Sequence, residues 1–221
     1  MDSWLVNYWL NGYLYRGQYW YKKLLGALVS RVMLLWDYLF VGGYLVSIDK
    51  QFDIQRAAVL IMDFQEDIVG TVARNPGKVV DRASSVLSSA RVNGIPVIYV
   101  VHHGGRFAEA SPGRDIHHDL LPTPDEPVLI KTKTSPFSTT GIDVLLRQLR
   151  VDTLILLGVA TSGCVLSTVR WAFDLEYKLI VVEDACDDAD EQVHALLTQK
   201  IYPRQSNVVT ADELHRMITR K

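Results

Sequence analysis

The chain has 221 residues, of which 48% are hydrophobic and 22% are charged, and its formal net charge at pH 7 is -2. This length and composition suit a globular protein with one main hydrophobic core, and the charge gives no sign of the basic surface that nucleic-acid binding requires. Two cysteines, Cys164 and Cys186, are too few for a disulfide framework. We therefore expect a reducing, cytoplasmic location and no secretory signal.

The first fifty residues differ in composition from the rest of the chain. They hold four of the five tryptophans and seven of the ten tyrosines. We assign residues 1–50 to an aromatic-rich apolar extension and residues 51–221 to the main domain. Arg31 and Asp37 interrupt the apolar runs, so no membrane-spanning helix is expected there. Three roles for this extension stay open. It could contact a membrane surface, which is not favoured; it could pack on the domain or on a second subunit; or it could have no part in the activity.

From Ala57 onward, apolar runs typical of buried strands alternate with stretches of helical periodicity. This alternation predicts an α/β fold of three layers, a doubly wound parallel sheet with helices on both faces. The predicted strands are 57–62, 96–101, 128–130, 153–157, 178–182 and 207–209, and the predicted helices are 76–93, 141–150, 164–175, 188–200 and 211–219.

Three reactive side chains follow three of the predicted strands. Asp63 comes directly after the first strand, Lys131 after the third, and Cys164 shortly after the fourth. Because ligands of open parallel sheets bind beyond the carboxyl ends of the strands, we expect the acid, the cation and the thiol to converge at one edge. Taken singly, each has a plain structural explanation: a turn cap, a solvated strand end and a small buried hydrophobe.

The stretch GVATSGCV places Cys164 where a strand passes into a helix. Unpaired backbone N–H groups at such a point can lower the pKa of a thiol and bind a developing oxyanion. A carboxylate at Asp63 supplies the base that a thiol nucleophile needs, and Lys131 supplies a positive charge. We expect the amides of Ala160 and Cys164 to bind the oxyanion, with Thr161 beside them at the substrate.

Three blocks of sequence carry a resemblance to a known family: AVLIMDFQ at 58–65, KTKTSPF at 131–137 and LILLGVATSGCVLSTVRWAFDLEYKLIVVEDACD at 154–187. In this order they resemble the isochorismatase-like cysteine hydrolase superfamily. That superfamily includes nicotinamidases, N-carbamoylsarcosine amidohydrolase, biuret and ureidoacrylate hydrolases, and isochorismatase itself. The resemblance covers residues 52–214 and implies an isochorismatase-like, Rossmann-like six-stranded fold and a homo-oligomer.

The same resemblance implies that Asp63, Lys131 and Cys164 form a catalytic triad. Lys131 is favoured over Lys133 because the family's lysine lies four positions before the serine of a Ser-x-Phe sequence, here SPF at 135–137. The family also tends to have a cis peptide bond that does not involve proline before the oxyanion loop. In this chain that bond would join residues 159 and 160.

Other residues have weaker signals. Nicotinamidases share an Asp/His metal cluster after the second strand, whereas this chain has only His102 and His103 there, so we expect no metal and no cofactor. Arg106 and Phe107 lie in a long loop and are candidates for contacting an anionic or planar substrate. Cys186 is interpreted as structural, and the histidines of the late helices, His194 and His215, as surface residues.

Three hypotheses about function remain open at this point. The leading one is hydrolysis of a small amide or ureido C–N bond, with Cys164 as nucleophile and a thioester intermediate. The second is the vinyl-ether hydrolysis of an isochorismatase, with Asp63 as the acid and no need for a thiol. The third is a catalytically idle member of the fold that acts in binding or assembly through residues 1–50.

Overall fold

The computed structural model describes residues 53–104 and 115–219. The predicted extension at residues 1–50 and the two loop residues Arg106 and Phe107 lie outside the described residues. Within the described ranges, no helix has both the length and the apolar character that crossing a membrane would require.

In the described part of the chain, six strands and seven α-helices follow one another in the order expected of an α/β fold. The strands are β1 (Ala57–Met62), β2 (Val97–His102), β3 (Val128–Lys131), β4 (Thr153–Val159), β5 (Lys178–Asp187) and β6 (Asn207–Val209). The helices are α1 (Glu66–Val72), α2 (Pro76–Val92), α3 (Pro136–Thr139), α4 (Ile142–Gln148), α5 (Leu166–Asp174), α6 (Glu191–Leu196) and α7 (Ala211–Thr219).

All six strands pair in parallel in the order β3-β2-β1-β4-β5-β6. The first strand, β1, therefore lies in the middle of the sheet. Strands β2 and β3 extend the sheet on one side of β1, and β4, β5 and β6 extend it on the other. The strand order reverses between β1 and β4, which pair from Ala57–Thr153 to Met62–Gly158. This reversal opens a crevice at the carboxyl ends of the two strands, where ligands of such folds bind.

Burial explains why these sequences form strands and helices. Every residue of β1 and of β4 is buried, which accounts for their continuous apolar runs between two layers of helices. Helix α2 begins with Pro76 at its first turn and buries one face, including Val79, Ala83 and Leu87. Gly94 follows it with a φ of 67°, a left-handed conformation that closes the helix.

Several predicted element boundaries were wrong, and α1 was missed. Strand β5 continues to Asp187 instead of ending at residue 182, because the polar run still pairs with β4 after a register shift, with Cys186 opposite Gly158. The helix predicted to begin at Cys164 is regular only from Leu166. A π-type turn, Thr161–Val165, with a non-helical Gly163, comes first. Helix α1 was not predicted, since it has only seven residues and no side-chain cap.

Candidate active site

The cysteine turn, Thr161–Val165, places the Cys164 thiol at the carboxyl edge of the sheet. It follows β4 through a cis peptide bond between Val159 and Ala160, as the resemblance implied. The thiol is buried, and it donates to the carbonyl oxygen of Ala160 at 3.7 Å. A Cβ built on Gly158 would lie 3.1 Å from the Cys164 Sγ and 2.8 Å from the carbonyl oxygen of Met62. Position 158 therefore has no room for a side chain between the Cys164 sulfur and the end of β1, so only a glycine fits there.

Asp63 and Lys131 form a buried ion pair beside that sulfur. The Lys131 Nζ donates to the Asp63 Oδ2 at 2.8 Å, and their side chains are 1% and 8% exposed. The other carboxylate oxygen, Oδ1, has no hydrogen-bond partner among the residues that the structure describes. Asp63 has a φ of 58°, a left-handed conformation that turns the chain sharply at the end of β1. An unpartnered carboxylate oxygen in a buried site is free to accept a proton.

Burial and the neighbouring charges shift the pKa values of Asp63 and Cys164. Burial raises the pKa of Asp63 to about 6, although the Lys131 ammonium and, more weakly, the Cys164 thiol oppose the rise. Burial also raises the pKa of the Cys164 thiol well above its usual value, and the Asp63 carboxylate adds to that rise. The lowering that we expected from a helix N-terminus is therefore outweighed by desolvation and by the neighbouring negative charge. Both effects favour the neutral form of the Cys164 thiol.

His102 is a further neighbour of the ion pair, and the sequence analysis considered it only as a possible metal ligand. It ends β2, and its Nδ1 lies 3.3 Å from the Lys131 Nζ. Burial, together with the Lys131 charge, lowers the pKa of His102, so a neutral ring accepts from the ammonium. Its backbone N–H donates to the side-chain oxygen of the buried Gln65 at 2.6 Å. The sequence contained a signal for this position, because His102 directly follows the second predicted strand, as Lys131 follows the third.

Three side chains that the sequence analysis did not assign to the site make polar contacts with the cysteine turn. The carboxylate of Asp188 accepts from the Ser162 N–H at 2.7 Å, and the Tyr202 hydroxyl donates to the Thr161 carbonyl at 2.5 Å. His194, predicted to be a surface residue, is half-buried and lies 2.8 Å from the Thr161 hydroxyl. Both sides of the Thr161–Ser162 peptide group are thus fixed.

These contacts limit which amides can bind an oxyanion. The Ser162 N–H is occupied by Asp188, and the Gly163 N–H donates to the Ala160 carbonyl at 3.0 Å. The predicted donors, the amides of Ala160 and Cys164, are not engaged in either of these bonds. Thr161 is fully buried, and its hydroxyl is held by His194, so its side chain faces away from open solvent.

Two other groups of potentially reactive side chains lie outside the Asp63–Lys131–Cys164 cluster. Cys186 is a buried free thiol whose pKa is raised to about 12 by burial. It borders a cavity of about 300 Å³ near the starts of α2 and α6. In the described part of the chain, one group of three side chains, Glu66, His117 and His118, lies close enough together to share a metal ion.

Comparison with known proteins gives a family match over most of the chain. A family model described as the isochorismatase domain matches residues 57–213, a span that includes Asp63, Lys131 and Cys164. The chain is 29% identical to the isochorismatase family protein YecD of Escherichia coli O157:H7, over 74% of this chain and 97% of that protein. It is 30% identical to the ureidoacrylate amidohydrolase RutB of Pantoea ananatis, over 62% of this chain and 72% of that protein.

Solved structures resemble this fold over about the same range. A cysteine hydrolase from Pseudomonas syringae pv. phaseolicola superposes with a TM-score of 0.70 at 25% identity, covering 76% of this chain and 94% of that one. The N-carbamoylsarcosine amidase of Thermoplasma acidophilum superposes with a TM-score of 0.63 at 25% identity, covering 71% of this chain and 97% of that one. The six-stranded parallel sheet predicted from the sequence agrees with these neighbours.

Proposed function

The chain belongs to the isochorismatase family of hydrolases, and on that premise we propose that it hydrolyses a small amide or ureido C–N bond. Cys164 is the nucleophile, Asp63 the proton acceptor and donor, and Lys131 the supporting cation. One observation carries the proposal: a buried Asp63–Lys131 ion pair next to a buried thiol, with the Asp63 Oδ1 free of hydrogen bonds among the described residues. A proton acceptor, a positive charge and a nucleophile in one dry site are the parts that covalent catalysis needs.

The first half of the reaction forms a thioester. The thiol proton passes from the Cys164 Sγ to the Asp63 Oδ1 while the sulfur bonds to the substrate carbon, and the carbonyl oxygen becomes an oxyanion. The amides of Ala160 and Cys164 stabilise that oxyanion. When the intermediate collapses, the C–N bond breaks and Asp63 returns the proton to the leaving nitrogen. The products of this half are ammonia or an amine and an acyl-enzyme.

In the second half, water replaces the leaving group. Asp63 takes a proton from water as the oxygen attacks the thioester carbon, and the C–S bond then breaks. The sulfur recovers its proton from Asp63, and a carboxylic or carbamic acid leaves. Because the pKa of Cys164 is raised, proton transfer and sulfur attack occur together instead of through a stored thiolate.

Lys131 has two tasks in this mechanism. Its charge limits the rise in the pKa of Asp63, which keeps the carboxylate ionised near neutral pH. Its hydrogen bonds to the Asp63 Oδ2 and to His102 fix the carboxylate so that Oδ1 faces the reaction. Since Asp63 must be ionised to accept a proton, the rate should rise as the pH rises through about 6.

The names of two similar proteins support the substrate class. The relative in Pantoea ananatis is a ureidoacrylate amidohydrolase, and the Thermoplasma acidophilum structure is an N-carbamoylsarcosine amidase. Both names describe hydrolysis of an amide-type bond in a small molecule. The cytoplasmic location and the homo-oligomeric assembly stay predictions.

One observation favours a second candidate function. An Asp63 with a pKa of about 6 is partly protonated near neutral pH, so it is also able to protonate a vinyl ether, the reaction expected of an isochorismatase. That reaction does not need the thiol, so the two functions differ in their dependence on Cys164.

The test is ammonia release from a panel of small primary amides, N-carbamoyl compounds and ureido acids. We expect Cys164→Ala to lose at least about 10³-fold in kcat, on the order of what removal of a nucleophile costs. Cys186→Ala, which removes the other buried thiol, is the matched control and should keep most activity. A Cys164→Ala variant as active as the parent would refute the covalent mechanism. A separate assay with a vinyl-ether substrate tests the second function: hydrolysis that survives in Cys164→Ala but disappears in Asp63→Asn would favour it.

A further inference from the structure

We propose that Glu66, His117 and His118 form a binding site for one divalent transition-metal ion, separate from the triad. Potential ligand atoms of these three side chains all lie within 4.8 Å of one another. The Glu66 Oε1 is 2.8 Å from the His118 Nδ1, and the Glu66 Oε2 is 3.8 Å from the His117 Nε2. Ligand atoms around a tetrahedral zinc ion are separated by about 3.4 Å, so the observed distances bracket those of a bound site.

The other nitrogen of each imidazole ring also has a carboxylate nearby. The Asp119 Oδ2 lies 3.8 Å from the His117 Nδ1 and 3.6 Å from the His118 Nε2. The Glu66 carboxylate thus lies near the His117 Nε2 and the His118 Nδ1, the two nitrogens that we propose bind the ion. The Asp119 carboxylate lies near the other nitrogen of each ring. The Asp119 backbone N–H donates to the His117 Nδ1 at 3.3 Å, so this nitrogen is an acceptor in the metal-free protein, and the ring must change tautomer for its Nε2 to bind an ion. Histidines that bind metals almost always donate their second N–H to a carboxylate, carbonyl or water, and the Asp119 Oδ2 is the carboxylate close enough to take that part.

The backbone holds the three ligands in place without an ion. The His117 N–H donates to the carbonyl of Phe64 at 2.8 Å, and the Glu66 N–H donates to the carbonyl of Asp115 at 3.0 Å. An antiparallel bridge joins residues 65 and 116 between these two bonds. Since Phe64 is buried, the segment that carries the histidines is fastened to the start of α1. A site assembled on fixed backbone loses little conformational entropy on binding.

Exposure and ligand type define the ion. The His118 side chain is 73% exposed and that of Glu66 is 38% exposed, so an ion enters from solvent and keeps water at its open positions. Two imidazoles and a carboxylate favour zinc, cobalt or nickel over calcium or magnesium, which prefer oxygen ligands. A bound ion would link residues 115–118 to the segment that begins three positions after Asp63. The proposal does not depend on the hydrolytic function.

The experiment is a titration of the metal-free, full-length protein with ZnCl₂, followed by isothermal calorimetry and by long-range ¹H–¹⁵N spectra of the histidine rings. The chain has only six histidines, all at known positions, so the rings that respond are identifiable. We expect one ion per chain and shifts confined to His117 and His118. Glu66→Gln and His118→Asn should each weaken binding at least tenfold, and Asp119→Asn by about 10–100-fold.

His215→Asn is the matched control, because it removes an exposed histidine from α7. It should leave affinity unchanged, as should Cys164→Ala. Circular dichroism of each variant separates loss of ligands from loss of fold. The proposal is overturned if no stoichiometric zinc binds. It is equally overturned if zinc binds with shifts at His102 or with full affinity in folded Glu66→Gln and His118→Asn, since the site would then be elsewhere.

Discussion

Replacing Lys131 with methionine tests whether the buried ion pair sets the pKa of Asp63. The substitution keeps most of the side-chain volume but removes the charge 2.8 Å from the Asp63 Oδ2. An opposite charge this close lowers the pKa of a carboxyl group by about 1–3 units. Without it, burial acts unopposed, and the pKa of Asp63 should rise from about 6 to about 7–9. That shift corresponds to about 1.4–4 kcal/mol of lost stabilisation of the carboxylate.

The sign of the accompanying stability change follows from linkage. In the folded wild type the pKa of Asp63 is about 6, above the 3.8 of an unperturbed aspartate, so the free energy of unfolding falls as the pH rises from about 4 to about 6. In Lys131→Met the fall continues to the higher pKa. The difference in unfolding free energy between variant and wild type should therefore grow above pH 6, toward the 3–5 kcal/mol that breaking a buried ion pair costs.

The assay is a pH titration of the Asp63 carboxyl carbon by ¹³C NMR, assigned with Asp63→Asn, together with urea unfolding at pH 5.5 and pH 8. Lys133→Met is the matched control, because Lys133 is an exposed lysine two positions along the chain. The control should titrate like wild type. An Asp63 pKa that stays within half a unit of the wild-type value in folded Lys131→Met would refute the electrostatic account of the site.

Further substitutions test the packing and the support of the nucleophile. Gly158→Ala should destabilise the protein by about 1–3 kcal/mol in thermal unfolding and impair catalysis, because the new methyl group contacts backbone and the Cys164 Sγ; unchanged stability and kinetics would contradict the close approach. Gly77→Ala, in α2 with nothing within 4 Å of the new Cβ, should instead stabilise by about 0.5–1 kcal/mol. Asp188→Ala should cost about 1.5–3 kcal/mol of stability by removing the charged acceptor of the Ser162 N–H. It should also lower kcat more than it raises KM, whereas a loss of stability alone would move neither constant in the folded protein.

The central half of the fold could be predicted because burial on both faces leaves a simple pattern. The apolar runs of β1 and β4 end at the carboxyl edge of the sheet. The position of Asp63 and of the turn around Cys164, directly after these runs, was therefore enough to predict that they lie at the crevice. Lys131 followed from the same rule at β3. In each case a local sequence signal coincided with the strand order, and the strand order places all three at one edge.

Other features could not be predicted because they depend on contacts between distant parts of the chain. The polar end of β5 resembles a loop in sequence, and only its pairing with β4 makes it a strand. Asp188 and His194 bind the cysteine turn from 26 and 33 positions along the chain, which no local pattern shows. The raised pKa of Cys164 depends on complete burial, whereas the sequence showed only the nearby helix end.

The left-handed backbone at Asp63 matters to anyone who wants an inactive protein for trapping a bound compound. Aspartate and asparagine adopt that conformation more readily than other residues with side chains, whereas alanine pays a steric penalty there. Asparagine at position 63 therefore preserves the bend in the chain and removes only the titratable oxygen. A crystallographer who chooses alanine instead would alter the shape of the crevice along with its chemistry, and a failure to see ligand would then have two causes.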